Sequence, residues 1–113
     1  MKLKMNDQAI ARLKKYLADP DLYLLLIFDM SGCQCGMNGT PTIKLTRDKL
    51  LTDQTVEQDY FRVIINKNDI VFFEQEMTLK DLGHGFQLTS PAGILNPIIP
   101  NRHFEQGLLA RTK

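Results

Sequence analysis

Leu22-Tyr23-Leu24-Leu25-Leu26-Ile27-Phe28 is a seven-residue apolar run, and Asp29-Met30-Ser31-Gly32-Cys33-Gln34-Cys35-Gly36 follows it directly. A continuous apolar run of this length reads as a strand buried on both faces. The polar, glycine-containing residues after it read as a loop. That loop holds both cysteines of the chain, one residue apart, with Gly32 and Gly36 on either side. Glycine adopts backbone angles that other residues avoid and lets a chain approach a ligand closely. The pattern is therefore two sulfurs presented at the end of a stiff strand. Soft sulfur ligands suit iron–sulfur clusters, zinc and cuprous ions. The plainer reading is that the cysteines are small buried hydrophobes. The flanking glycines and the lack of an adjoining apolar residue favour the ligand reading.

Working outward, Asn6 offers a helix N-cap, with Met5 and Ile10 placed for a hydrophobic staple. Ala9, Ile10, Leu13, Tyr16 and Leu17 recur at helical spacing, and Pro20 closes the segment, so a helix is expected over Asp7–Ala18. Met1–Met5 alternates as a short edge strand would. Beyond the cysteines, Asn38-Gly39 is a hairpin signal, and Thr42–Thr46 is expected to return antiparallel to Leu22–Met30. Arg47–Gln58 is polar and reads as a surface connection, with Leu50 and Leu51 dipping inward. Tyr60–Ile65 reads as a strand with Phe61, Val63 and Ile65 on one face. Ile70–Phe73 fits either a strand or a buried helical turn. Met77–Leu82 is a weak strand, Gly83-His84-Gly85 a turn, and Phe86–Thr89 a short strand. Gly93, Asn96, Pro97, Pro100 and Asn101 are expected to break any regular element after it. The tail from His103 fits one helical turn through Phe104, Leu108 and Leu109, or a loose end. One helix followed by short strands predicts an α+β fold: one N-terminal helix packed on a mainly antiparallel, curved β-sheet or pseudo-barrel.

The totals bound the function. A chain of 113 residues fits one domain, and 43% hydrophobic content supports a modest core. With 14 basic and 13 acidic side chains and no basic run, nothing steers it toward nucleic acid. The longest apolar run is far short of the ~20 residues of a membrane span. The N-terminus leads into polar residues and not into a signal-like apolar stretch, so a cytoplasmic protein with reduced thiols is expected. No carboxylate pair, nucleophile triad or phosphate-binding loop stands out, and no enzymatic activity is expected.

The order of elements resembles the HesB-like family, the A-type iron–sulfur cluster carriers. The matching residues are Ser31-Gly32-Cys33, Tyr60–Ile65 with Asn66, and Gly85-Phe86-Gln87-Leu88-Thr89-Ser90-Pro91. The resemblance covers about Leu3 to Asn96. It implies a compact β-rich domain over residues 1–100, a C-terminal tail over 101–113, and a role in iron–sulfur cluster assembly or delivery. In the family a first-loop cysteine acts with a C-terminal Cys-Gly-Cys. Cys33 matches the first-loop position, but the later stretch reads Gly93-Ile94-Leu95-Asn96-Pro97, and Cys35 stands where the family usually has glycine. A site with three thiolates per protomer cannot be built here, which places the chain with a divergent branch.

Cys33 and Cys35 are accordingly the expected ligands for iron or an iron–sulfur cluster, held for assembly or transfer. A four-thiolate cluster needs two more sulfurs, which a homodimer would supply. A mononuclear site could add a histidine, His84 before His103. The implied partners are the iron–sulfur assembly machinery or apo-protein acceptors. Two alternatives stay open: thiol/disulfide redox chemistry between Cys33 and Cys35, and a plain interaction module without metal.

Overall fold

A computed structural model describes residues 1–19, 21–29, 40–105 and 108. The expected α+β architecture is present, with one main helix and eight strands. The strands form two open four-stranded sheets and not a closed barrel. Sheet 1 has the order β1–β6–β7–β8, from Lys2–Met5, Glu76–Asp81, Gly85–Ser90 and Gly93–Pro100. Sheet 2 has the order β3–β2–β5–β4, from Thr40–Thr46, Tyr23–Asp29, Val63–Asn66 and Asp53–Val56. Four of the six strand pairings are antiparallel; β1 with β6 and β2 with β5 are parallel.

Helix α1, Asp7–Tyr16, starts where the sequence predicts, and the Asn6 side chain accepts the Ala9 amide at 2.9 Å. It ends two residues before Ala18, closed by the Leu17 amide donating to the Leu13 carbonyl at 2.8 Å. Ala9 and Leu13 are buried against the sheets. One core cluster joins them to Leu3, Met77, Leu79, Phe86, Leu88 and Ile99 of sheet 1, and to Leu24, Leu26, Ile43, Leu45, Val63 and Ile65 of sheet 2. The apolar run does form a central strand: Leu24, Leu25 and Leu26 are all buried, so both faces of β2 are covered. Edge strand β1 links the sheets. It pairs with β6, and its Leu3 amide donates to the Glu57 carbonyl at 3.0 Å.

Five expectations are corrected. The polar connection Arg47–Gln58 contains strand β4. As an edge strand it needs little apolar content: Val56 and Asp53 face inward while Gln54 and Thr55 are exposed. Leu51 does not dip in; it is fully exposed. The strand expected from Tyr60 begins only at Val63, and Tyr60 is exposed. Ile70–Phe72 is a 3₁₀ turn with Val71 in solvent, and only Phe73 after it is buried. Finally, Gly93–Pro100 is not broken but forms β8. Two prolines survive because β8 is an edge strand whose register against β7 shifts twice, and bulges and edges tolerate missing ladder donors.

The Gly85-Phe86-Gln87-Leu88 motif has a physical basis in this fold. Phe86 and Leu88 point into the core. A Cβ on Gly85 would stand 2.7 Å from the Ile99 carbonyl oxygen of β8, so only glycine lets the two strands approach there. The β6–β7 turn is tight, with Gly83 at φ 89° and the Leu82 amide donating to the Gly85 carbonyl at 2.8 Å. The tail begins with helical turn α2, Arg102–Glu105, which buries Phe104 against Phe86 and Tyr16.

Candidate functional site

Strands β2 and β3 pair from Tyr23 opposite Thr46 to Asp29 opposite Thr40. The ten residues 30–39, which include both cysteines, therefore connect two directly paired positions at one end of sheet 2. Cys33, Cys35 and the Asn38-Gly39 signal lie outside the described residues. The stems on either side are described, and each is held from outside the hairpin.

On the β2 stem, the Phe28 ring stacks on Phe72 of the 3₁₀ turn, with centroids 3.7 Å apart and planes inclined by 11°. On the β3 stem, the Pro41 carbonyl accepts from Nδ2 of Asn96 on β8 at 2.8 Å. One residue further, Thr42 Oγ1 lies 3.1 Å from Nδ1 of His103 on α2. Thr42 and Asn96 are both buried polar residues. Burial of an amide is tolerated when its groups are paired, and those of Asn96 are. Its Oδ1 also accepts the Ile98 amide at 3.0 Å.

The two histidines lie in different surroundings. His84 is exposed in the β6–β7 turn of sheet 1. His103 is half-buried against the strand that leaves the cysteine segment. Among the described residues no three His, Cys, Asp or Glu side chains gather as a metal would require. Asn96 was legible only as a strand breaker; the one local signal for its role is the proline after it, which marks the bulge whose amide it caps.

Arg12 of α1 ties the helix to sheet 1. Its guanidinium bonds Asp81 and Asn101 and lies 4.5 Å from the Phe86 ring centroid. Burial pulls the Arg12 pKa down, but hydrogen bonds to Asp81 and Tyr16 outweigh it and the pKa is raised. The group is a permanently charged structural post and not a proton donor.

With the fold and the stems in view, comparison with known proteins assigns the class. The family model for iron–sulphur cluster biosynthesis matches residues 1–100. The chain belongs to this family. The uncharacterized protein YqkB of Bacillus subtilis (strain 168) is 29% identical over 100 residues, covering 86% of this chain and 94% of YqkB. Among solved structures, a candidate Fe–S biosynthesis protein from Lactobacillus salivarius superposes with a TM-score of 0.71 at 19% identity, covering 88% of this chain and 94% of that one. IscA with a 2Fe–2S cluster superposes with a TM-score of 0.53 at 13% identity, covering 86% of this chain and 98% of IscA. These structural likenesses establish a shared fold. No helix among the described residues is long and apolar enough to cross a membrane.

Proposed function

We propose that this member of the iron–sulphur cluster biosynthesis family binds iron or an iron–sulfur cluster through Cys33 and Cys35 and passes it on. The observation that carries the reading is the placement of both thiols. They lie in the ten residues between Asp29 and Thr40, a paired position at the end of a hairpin whose inner strand is buried on both faces. A buried, paired root of this kind supports the reading of the segment as a presenter of two soft ligands. The family match and the cluster in IscA support the same chemistry. With two thiolates per chain, the site is short of the four that clusters take. Weak, open ligation suits transfer better than storage.

The activity proposed is carriage, not catalysis. The cluster or iron is cargo, its donors the assembly machinery and its acceptors apo-proteins, in the cytoplasm. The test is reconstitution with ferrous iron and sulfide under argon, comparing the native chain with Cys33→Ser and Cys35→Ser. Visible charge-transfer absorption and bound iron in the native chain, lost in both variants, are the expected result. Equal iron in all three chains would show adventitious binding. No iron in any, together with a titratable Cys33–Cys35 disulfide, would replace carriage by thiol redox chemistry.

A further inference from the structure

We propose that a cavity on the outer face of sheet 2 binds a small organic carboxylate with an apolar body, its carboxylate held by Arg62. The cavity lies where β2 and β5 begin and β4 ends. Its volume is about 350 Å³, and its lining includes Tyr23, Lys49, Thr55, Phe61, Arg62 and Ile64. Sites for small ligands are concave and largely apolar, with a few placed polar groups. The apolar part is present. Ile64 is 1% exposed, yet it stands between Val63 and Ile65 of the core cluster without belonging to that cluster. Strand alternation therefore turns its side chain to the opposite face, where it forms a floor. Thr55 is paired with Ile64 across the ladder and adds an exposed hydroxyl. Tyr23 and Phe61, both half-buried, supply aromatic walls.

Arg62 gives the cavity its chemistry. Its carbonyl accepts the Leu24 amide at 2.8 Å, which fixes its backbone beside Tyr23. Its guanidinium carbon lies 5.7 Å from the Tyr23 ring centroid, within cation–π range. Among the described residues neither Arg62 nor Lys49 forms an ion pair. A guanidinium braced on an aromatic face keeps its fork of N–H donors for an incoming anion, and that fork matches the two oxygens of a carboxylate. Glu57 is the single carboxylate on the described wall, so two cations there face one anion. One added negative charge neutralises the balance, which favours a monoanionic carboxylate over a dianionic phosphate. The Gln58 amide on the same wall is already taken. It donates to the Leu3 carbonyl at 2.7 Å and accepts the Tyr60 amide at 2.8 Å. The cavity stands apart from the cysteines: Tyr23 opposite Thr46 is at one end of the β2–β3 ladder, and Asp29 opposite Thr40 at the other.

The test is titration of the full-length apo-protein, thiols reduced, with hydrocinnamate, followed by amide and arginine side-chain NMR. Saturable shifts centred on Tyr23, Thr55, Ile64 and Arg62 are expected. Hydrocinnamide, acetate and inorganic phosphate should each bind about tenfold more weakly or worse, since each lacks the carboxylate or the apolar body. Arg62→Gln should lower affinity for hydrocinnamate by about tenfold or more, and Arg62→Lys should recover only part of it. Lys67→Gln, which removes an exposed cation just past the other end of β5, should leave affinity unchanged. Circular dichroism confirms folding, and Arg62→Lys serves if Arg62→Gln does not fold. N-acetylphenylalanine separates two sources of the same chemistry. Tighter binding than hydrocinnamate assigns the site to the terminal residue of a peptide, and weaker binding to a free acid. Absence of saturable shifts, equal affinity for acid and amide, native affinity in a folded Arg62 variant, or shifts centred elsewhere would overturn the proposal. No readout involves iron or a thiol, so Cys33→Ser should bind hydrocinnamate as the native chain does, whether or not the chain carries iron.

Discussion

Arg12 and Asp81, 69 residues apart in sequence, form an ion pair that joins helix α1 to the end of β6. Asp81 also accepts the Gly83 amide at 2.6 Å, so the same carboxylate shapes the β6–β7 turn. Its side chain is 8% exposed and that of Arg12 21%. Removing one member of a largely buried pair leaves the other charged and desolvated, which costs about 3 kcal/mol or more. Arg12→Ala is expected to lower stability by about that amount in urea unfolding. Arg12→Lys should recover only part of it, because a point charge cannot serve Asp81 and Asn101 at once. Full recovery by lysine would reduce the contact to simple charge neutralisation.

Gly83 and Gly85 are required for different reasons, and substitution separates them. Gly83 has open space around a Cβ but a left-handed φ of 89°; Gly85 has an ordinary φ but no space. Gly83→Ala should cost about 1 kcal/mol, and Gly83→Asn should restore most of it, since asparagine tolerates left-handed backbone. Gly85→Ala should cost about 1–3 kcal/mol from forcing β7 and β8 apart, and Gly85→Asn should be worse. Thermal unfolding of the four variants checks this; rescue of position 85 by asparagine would refute the steric account.

What the sequence disclosed depended on how local the cause is. Asn6 caps α1 from three residues away, and the Ala9–Leu13 spacing lies within one helix, so that element was legible. The β2 run was legible because burial on both faces leaves no polar position to confuse the pattern. β4 and β8 were not. Edge strands need only a few inward residues, and two prolines and a glycine disguised β8 until its bulges and its edge position were known. The thiols could be found from Gly32-Cys33-Gln34-Cys35-Gly36 alone. The residues that hold their stems could not. Asn96 reaches Pro41, and His103 reaches Thr42, only after two sheets have assembled across 55 and 61 residues of chain. His84, named from its place between two glycines, lies in an exposed turn of the other sheet.

The Asp19–Arg47 pair gives a pH-dependent expectation. The Asp19 carboxylate accepts the Asp21 amide at 2.9 Å and pairs with Arg47 at 2.5 Å, linking the end of the helix region to the end of β3. The Asp21 amide first, and Arg47 second, hold its carboxyl below the ordinary aspartate range. A depressed folded pKa contributes stability above the unfolded value, and that contribution is lost as pH falls through the folded value. Asp19 should therefore titrate below an ordinary aspartate by carboxyl NMR, and Arg47→Ala should move its midpoint upward. A midpoint at the ordinary value in both chains would remove the pair from the acid-stability profile. The pair lies at the surface, with 36% of the Asp19 and 50% of the Arg47 side chain exposed, so its effect on overall stability is small and screened by salt.

The stoichiometry of the holo-protein follows from counting sulfurs. Each chain has two cysteines, and iron–sulfur clusters are held by four thiolates. A two-fold dimer brings the same patch of both chains to one axis, so it doubles the ligands without any new residue type. Reconstituted protein is therefore expected to sediment as a dimer that holds one cluster between its protomers. Chelation of the iron should return it to monomer, since the shared cluster is then the principal bond across the axis. Cys33→Ser and Cys35→Ser should each fail to dimerise under the same conditions. Sedimentation velocity with iron and sulfide analysis on each boundary checks all three expectations. A monomeric boundary carrying iron would reject the shared cluster and leave a mononuclear thiolate centre as the cargo site.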